Sequence, residues 1–151
     1  MKYLLIFFTT FVLAQQRVYV TRVIDGDTFV ANGQHYRMAE VDAPELSQTY
    51  GLQSKIYLTK LIQGQRIEII PQATDRYHRL IVKVYLNKRY IAEDLVRNGY
   101  AWWYEKYSNN LKLKELQRNA RIKKLGLWRY KHYEPYKERQ RKQWNYQRNG
   151  V

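Results

Sequence analysis

Three short stretches of the sequence carry charged residues at spacings that suit chemistry. The first is the acidic turn at residues 25–28, the second is Arg37 together with residues 42–45, and the third is the run at residues 75–79. Carboxylates held in one place repel each other, and a cation between them relieves that repulsion. Ligand sets made only of oxygen favour calcium or magnesium over zinc. The sequence therefore predicts a hard divalent cation at this set of residues.

Two arginines accompany the carboxylates. We expect strand ends to bring Asp27, Asp42 and Glu45 together at the mouth of a barrel, close to Arg37 and Arg79. Each guanidinium is a planar, permanently charged fork that matches phosphate oxygens. A cation and two arginines would stabilise the charge of a pentacoordinate phosphorus, while the remaining carboxylate orients or deprotonates water. The combination predicts hydrolysis of a phosphodiester.

Each stretch alone also has a plainer explanation. Asp-Gly-Asp at residues 25–27 is commonly a turn. Residues 42–45 can begin a helix, with the proline in its first turn. Arg79 can simply pair with Asp75. The chemical interpretation therefore depends on all three stretches occurring together and in this order.

The composition sets limits on the class of protein. The chain has 151 residues, of which 45% are hydrophobic and 26% are charged, and these values are typical of one folded domain. It contains no cysteine, which excludes a disulfide scaffold, a thiol nucleophile and any cysteine-ligated zinc or iron–sulfur site. The histidines are too dispersed to indicate a zinc cluster.

Positive charge is concentrated towards the C-terminus. Residues 15–108 carry 13 basic and 10 acidic side chains, whereas residues 109–151 carry 13 basic and 3 acidic ones. We interpret residues 129–151 as a basic, aromatic tail that attracts polyanions. Nucleic acid is the first candidate, because aromatic rings among arginines suit unpaired bases. An anionic membrane or wall polymer, with loose attachment to the cell envelope, is the second, and a basic face that only aids solubility is the third.

The first residues are typical of a secretory signal. Lys2 gives a positive start, and residues 3–13 form an uncharged, mostly apolar run. The run is shorter than the roughly 20 residues that a transmembrane helix needs. We place the cleavage after Ala14, so residues 1–14 would be removed and the protein would be secreted or periplasmic. An N-terminal core strand or an uncleaved anchor is the alternative.

The apolar pattern predicts an α+β, mainly β domain over residues 15–128. Alternation and β-branched residues predict five strands, and Asn32-Gly33 predicts a type I′ hairpin between the second and third. Apolar residues at helical spacing predict three helices, one of them between the third and fourth strands. The strands are residues 17–24, 27–31, 35–41, 66–71 and 80–86, and the helices are residues 50–63, 90–98 and 109 or 110 to 125, ended by Gly64, Gly99 and Gly126. Five short strands with an intervening helix favour a small closed barrel of the OB type.

Five strings of residues follow one another in the order of a known family. They are VIDGDTF, YRMAEVDAPE, TDRYHRLIVKVY, AEDLVRNGYAWWY and KKLGLW. Together they resemble the thermonuclease family, the secreted staphylococcal-nuclease-like enzymes. The resemblance covers about residues 18–128, nearly the whole predicted domain. It implies an OB-fold barrel with three helices, in agreement with the predicted elements.

The resemblance implies a role for each matching residue. One calcium ion would be bound by the carboxylates of Asp27 and Asp42 and by the backbone carbonyl of Ala43. Glu45 would position or activate the attacking water. The two arginines that grip the scissile phosphate would be Arg37 and Arg79.

Other positions of the family match less closely. Arg76 and Tyr77 stand where the family has a Lys-Tyr pair that contacts a further phosphate, and Tyr104 and Tyr107 are candidates for stacking on bases. His78 stands where the family commonly has glycine, which suggests a backbone with positive φ. The segment 46–50 is shorter than the lysine-bearing loop of the best-known member.

The resemblance implies a secreted, calcium-dependent nuclease without sugar specificity. It would cleave the 5′ P–O bond of DNA and RNA, with single-stranded or denatured substrates preferred, and leave 3′-phosphate ends. We expect a monomer without a stable protein partner. The alternative is a non-catalytic OB-fold protein that only binds nucleic acid. The complete charged set favours the enzyme, because an unpaired carboxylate cluster has no structural use.

Overall fold

A computed structural model describes residues 15–130 of the chain. The predicted signal segment at residues 1–14 and nearly all of the predicted basic tail lie outside these residues. None of the helices between residues 15 and 130 combines the length and the apolar character needed to cross a bilayer.

The described chain forms eight strands and three α-helices. The strands are β1 (Gln16–Val23), β2 (Thr28–Ala31), β3 (Gln34–Met38), β4 (Val41–Asp42), β5 (Arg66–Thr74), β6 (Leu80–Leu86), β7 (Arg89–Tyr90) and β8 (Trp102–Trp103). The helices are α1 (Gly51–Ile62), α2 (Ile91–Arg97) and α3 (Leu111–Ile122), and short 3₁₀ turns occupy Glu105–Tyr107 and Gly126–Arg129. All five predicted strands and all three predicted helices are present.

Five strands close into a barrel. The sheet runs in the order β3-β2-β1-β5-β6-β7, and an additional parallel pairing between β3 and β6 closes it. Asn32 and Gly33 both have positive φ and connect β2 to β3, as the hairpin prediction requires. Alternate residues of the strands fill the interior, among them Val20, Phe29 and Ile67, none of which is exposed to solvent. The predicted OB-like barrel with three helices is confirmed.

The predicted third strand is in fact two strands. It was expected to run over residues 35–41, but β3 ends at Met38 and β4 begins at Val41, because Glu40 adopts a left-handed backbone with φ 66°. The Glu40 side chain is held by hydrogen bonds from the Tyr90 and Ser108 hydroxyls, 2.6 and 3.1 Å long. The chain therefore bends, and Val41 pairs with β8 and not with the barrel.

The three helices cover the barrel with the faces that the sequence indicates. Leu58 and Ile62 of α1, and Ile91 and Leu95 of α2, are completely buried. On α3 the buried positions are the predicted apolar line of Leu113, Leu116 and Ala120. The Asn110 side chain caps α3 by accepting hydrogen bonds from the backbone N–H groups of Lys112 and Leu113.

The expected stop of α3 at Gly126 was wrong. The helix ends at Ile122, and Lys124 takes the left-handed conformation, with φ 50°, that closes it. The Leu125 N–H donates to the Ala120 carbonyl at 2.9 Å, which is a Schellman-type closure without glycine. Gly126 is instead needed for packing, since a Cβ there would lie 2.2 Å from the Gly99 carbonyl oxygen.

Gly99 and Gly126 make a backbone contact that no larger residue allows. A Cβ at Gly99 would lie 2.3 Å from the Leu125 carbonyl oxygen, whereas a Cβ at Gly33, which also has positive φ, meets nothing within 4 Å. We expect Gly33→Ala to cost about 1 kcal/mol of backbone strain. Gly99→Ala should cost at least about 2 kcal/mol more, because backbone must also move. Urea unfolding of both variants measures the difference, and equal losses would contradict the packing argument.

Candidate active site

Arg37 lies between two buried aspartates. It is on β3 opposite Thr28 of β2, and only 9% of the residue is exposed. Its Nε lies 3.0 Å from Asp27 Oδ1 and its Nη2 lies 2.8 Å from Asp42 Oδ1. Asp27 and Asp42 are 5% and 3% exposed. Two of the predicted metal ligands and one predicted phosphate-binding arginine therefore form a single buried group.

The bend after β3 completes the surroundings of this guanidinium. Arg37 Nη1 donates to the carbonyl oxygens of Met38 and Val41, at 2.5 and 2.8 Å, on either side of the bend. Four of the five N–H groups of the side chain are thus used inside the protein, and one on Nη2 is left. The left-handed Glu40 turns the chain so that residues 38–42 wrap around the guanidinium.

The turn at residues 25–28 brings Asp27 to the same place. Asp27 Oδ1 accepts from the Thr28 hydroxyl at 3.1 Å, and Oδ2 accepts from the Ala43 N–H at 2.6 Å. The turn can approach this closely because residue 26 is glycine. A Cβ at Gly26 would lie 2.6 Å from the Ala43 Cβ and 2.7 Å from the Ser54 Cβ. The backbone of Ala43, the third predicted metal ligand, is therefore held against Asp27.

Asp25 adds a second carboxyl group to the turn. Its Oδ1 accepts from the Asp27 N–H at 3.0 Å. Burial, followed by the negative charge of Asp27, raises the pKa of Asp25 from its ordinary 3.8 to about 6. The turn is thus a place where the protein itself disfavours negative charge, and a positive ion nearby would relieve this.

Arg79 joins the group through Thr28. Its Nε lies 2.8 Å from Asp75 Oδ2, and its Nη1 lies 3.5 Å from the Thr28 hydroxyl, which in turn donates to Asp27. Hydrogen bonds from Arg79 overcome the effect of burial and lower the pKa of Asp75. The plain pairing of Arg79 with Asp75 is real, and it aims the arginine at the aspartates. An unbroken run of contacts leads from Asp75 to Asp42.

Two of the three expected carboxylates, Asp27 and Asp42, meet at Arg37. Between residues 15 and 130 no three His, Cys, Asp or Glu side chains are arranged to hold a metal ion. The expected approach of the Glu45 carboxylate to the two aspartates stays a prediction. The set of Asp27, Asp42 and the Ala43 carbonyl stays a prediction. It consists of oxygen donors, and one guanidinium offsets two buried carboxylates, so its chemistry fits a hard cation such as Ca²⁺.

Glu45 follows this group in the segment that leads to α1. Its side chain is half-buried, and its backbone N–H donates to the Gln48 side-chain oxygen at 2.7 Å. That Glu45 positions or activates the attacking water stays a prediction.

The loop between β5 and β6 exposes the next predicted residues. Tyr77 is 63% exposed, and two guanidiniums lie near its ring, with Arg76 Cζ at 4.8 Å and Arg79 Cζ at 5.5 Å from the ring centroid. His78 has φ 60°. This is the positive φ predicted for a position where glycine is common. The loop therefore presents two cations and an exposed aromatic ring beside the buried group.

The second aromatic pair lies after β8. Tyr104 and Tyr107 make an edge-to-face contact with ring centroids 4.9 Å apart, and Tyr107 is 66% exposed. The Tyr104 N–H donates to the Glu40 carbonyl at 2.9 Å, so the bend after β3 fixes this segment. Both tyrosines are therefore attached to the stretch that holds Arg37 and Asp42.

Sequence reasoning did not identify every residue that builds this site. Thr28 was noted only as part of a motif, although it connects Arg79 to Asp27. Glu40 and Gln48 were missed altogether. The only signal was position, since Glu40 lies within the segment from Arg37 to Asp42 and Gln48 lies three residues after Glu45.

The chain is similar in sequence to several known proteins. Residues 35–130 match the family described as staphylococcal nuclease homologue. An uncharacterised endonuclease of Haemophilus influenzae is 36% identical over 114 residues, which cover 72% of this chain and 64% of the relative. An uncharacterised endonuclease of Escherichia coli O157:H7 is also 36% identical over 114 residues, which cover 74% of that relative.

A plant protein is similar over a smaller part of its length. A probable staphylococcal-like nuclease of Oryza sativa subsp. japonica is 34% identical over 102 residues, which cover 68% of this chain. The chain spans only 28% of that relative.

The raised pKa of Asp25 predicts a change of stability with pH. The folded protein binds the Asp25 proton more tightly than the unfolded chain does, so ionising this group between pH 4 and pH 7 lowers the free energy of unfolding. Asp25→Asn removes this loss. In EDTA, we expect the free energy of unfolding of the variant, relative to the original protein, to rise by about 2 kcal/mol from pH 4 to pH 7. Urea unfolding across this range measures it, and a difference that is constant with pH would contradict the assignment.

Proposed function

The chain belongs to the staphylococcal nuclease homologue family, and from this we propose that it is a calcium-dependent nuclease that hydrolyses phosphodiester bonds of DNA and RNA. The observation that carries the proposal is the unbroken run of contacts from Asp75 through Arg79, Thr28, Asp27 and Arg37 to Asp42. Cationic forks for phosphate and a buried carboxylate pair for a cation are thereby built into one group.

The two arginines have different tasks. Arg79 uses its Nε on Asp75 and one Nη1 N–H on Thr28, so the rest of its fork is available to two phosphate oxygens. Arg37 has one N–H left on Nη2, and it acts mainly by holding Asp27 and Asp42 in place. In this proposal Arg79 is the principal phosphate ligand and Arg37 contributes a single further donor.

Glu45 acts on the attacking water. It orients the attacking water and accepts its proton while the water oxygen bonds to phosphorus. The bond from phosphorus to O5′ breaks, and the departing O5′ takes up a proton from solvent water. The products are a 3′-phosphate and a 5′-hydroxyl. When bound to Asp27, Asp42 and the Ala43 carbonyl, Ca²⁺ would supply positive charge that stabilises the phosphate in the transition state.

The exposed rings support unpaired substrates. Tyr77 is exposed beside Arg76, and Tyr107 is exposed beside Tyr104. Aromatic faces stack on any unpaired base, and nearby cations bind the backbone phosphates. Single-stranded or denatured DNA and RNA are therefore the substrates that these surfaces favour.

The remaining parts of the proposal depend on the ends of the sequence. The composition of residues 1–14 supports secretion or export to the periplasm, with cleavage after Ala14. The basic residues after position 128 support additional binding to polyanions and a loose association with an anionic envelope. We propose a monomer that needs no protein partner.

One experiment separates the enzyme from a binding protein of the same fold. The full chain is incubated with denatured DNA, first with Ca²⁺ and then with EDTA. The proposal expects fragments with 3′-phosphate ends in Ca²⁺ and intact DNA in EDTA. DNA that is bound but intact in Ca²⁺ would favour the non-catalytic alternative.

Replacing Arg79 by lysine tests the phosphate fork. Arg79→Lys keeps the charge and loses the planar pair of donors, so we expect kcat to fall by about 100-fold or more. The measurement is the rate of cleavage of denatured DNA at saturating substrate. Arg97→Lys on α2, where Arg97 pairs with Glu93 on the protein surface, is the matched control and should retain its rate. An Arg79→Lys variant as active as the control would remove Arg79 from the mechanism.

A further inference from the structure

A single residue fixes both peptide groups of Glu45. The Gln48 side-chain Oε1 accepts from the Glu45 N–H at 2.7 Å, and the Gln48 backbone N–H donates to the Glu45 carbonyl at 2.8 Å. The Glu45 backbone cannot rotate without breaking at least one of these hydrogen bonds. The side-chain bond depends on the length and the acceptor oxygen of glutamine, whereas any residue except proline could make the backbone bond.

The first residue of α1 fixes the same carbonyl from the other side. A Cβ at Gly51 would lie 1.9 Å from the Glu45 carbonyl oxygen, so only glycine allows the contact. The Gly51 N–H also donates to the Gln48 carbonyl at 3.0 Å. The turn that holds Glu45 is therefore continuous with the helix and takes its rigidity from it.

The residue before Gly51 shows that the turn has one defined shape. Tyr50 has φ 71°, a left-handed backbone that a residue with a side chain rarely adopts. Its ring stacks on Tyr100 with centroids 5.6 Å apart and packs on Tyr130 at 6.2 Å. These ring contacts hold the strained residue in place, so the short segment from Glu45 to Gly51 is fixed at both ends.

We propose that Gln48 is a positioning residue that acts through Glu45, an assignment that rests on the proposed nuclease function. A carboxylate that orients water must lie within hydrogen-bond reach of it, and a misplacement of about 1 Å can cost about 100-fold in rate. The segment of residues 46–50 is short, and two hydrogen bonds of its Gln48 are made to the Glu45 backbone. Gln48 thus fixes the backbone from which the Glu45 side chain extends. In this proposal it acts through Glu45 and does not itself bind substrate or a cation.

Removing the side chain tests this role. Gln48→Ala keeps the backbone hydrogen bond and loses the side-chain one, so we expect kcat on denatured DNA to fall about tenfold or more while KM stays within about twofold. Gln48→Glu keeps the acceptor oxygen and should recover most of the lost kcat. Gln53→Ala, an exposed glutamine on α1, is the matched control and should behave as the original protein. Hydrogen exchange of the Glu45 amide should be slow in the original protein and fast in Gln48→Ala.

A double-mutant cycle with Glu45→Ala separates positioning from general loss of structure. If Gln48 acts only through Glu45, then Gln48→Ala in the Glu45→Ala background should lower kcat no further. Additive losses, or a Gln48→Ala variant with the original kcat, would overturn the positioning role and leave the nuclease proposal intact. An original protein that is itself inactive on denatured DNA in Ca²⁺ would overturn both proposals.

Discussion

The site depends on one buried arrangement, the guanidinium of Arg37 between the carboxylates of Asp27 and Asp42. Charges removed from water are costly unless they are paired, and removal of one partner from a buried pair costs several kcal/mol. Here one positive group faces two negative ones, and the neighbouring Asp25 has a raised pKa because of burial and the charge of Asp27. The arrangement is therefore held together internally and still favours additional positive charge.

Two features of the fold hold this arrangement in place: the bend in the chain after β3 and the close packing of the acidic turn. Left-handed Glu40 turns the chain so that Met38 and Val41 offer their carbonyl groups to Arg37. Gly26 lets the acidic turn pack directly on Ala43 and α1. The Glu40 carboxylate accepts a hydrogen bond from the Tyr90 hydroxyl, which connects the bend to the β7–α2 region. The barrel supplies a rigid frame, and these local exceptions to regular structure position the chemical groups.

The sequence was sufficient for the parts of the molecule that follow periodic patterns. Alternation located the five barrel strands, and helical spacing located the buried line of α3 at Leu113, Leu116 and Ala120. It failed where a side chain imposes an unusual backbone. Nothing in the strand pattern of residues 35–41 indicates that Glu40 breaks it, because the cause is a set of partners distant in the sequence, Tyr90 and Ser108.

The candidate site shows the same division. The motifs selected Asp27, Arg37, Asp42 and Arg79, since their residue types are unusual on strand ends. The sequence did not predict that Arg37 would lie between Asp27 and Asp42, because that depends on where the bend directs the chain. It also could not identify Thr28 as the link to Arg79, since the two are 51 residues apart.

The most direct test of the account is the rate of hydrolysis of denatured DNA as a function of Ca²⁺ concentration. The original protein is compared with Asp42→Asn and with Glu68→Gln, a control that makes the same carboxylate-to-amide change on β5. The account predicts that the rate of the original protein and of the control rises to a plateau with Ca²⁺. For Asp42→Asn, it predicts that at least about tenfold more Ca²⁺ is needed to reach half of its maximal rate. An Asp42→Asn variant with an unchanged calcium dependence would contradict it.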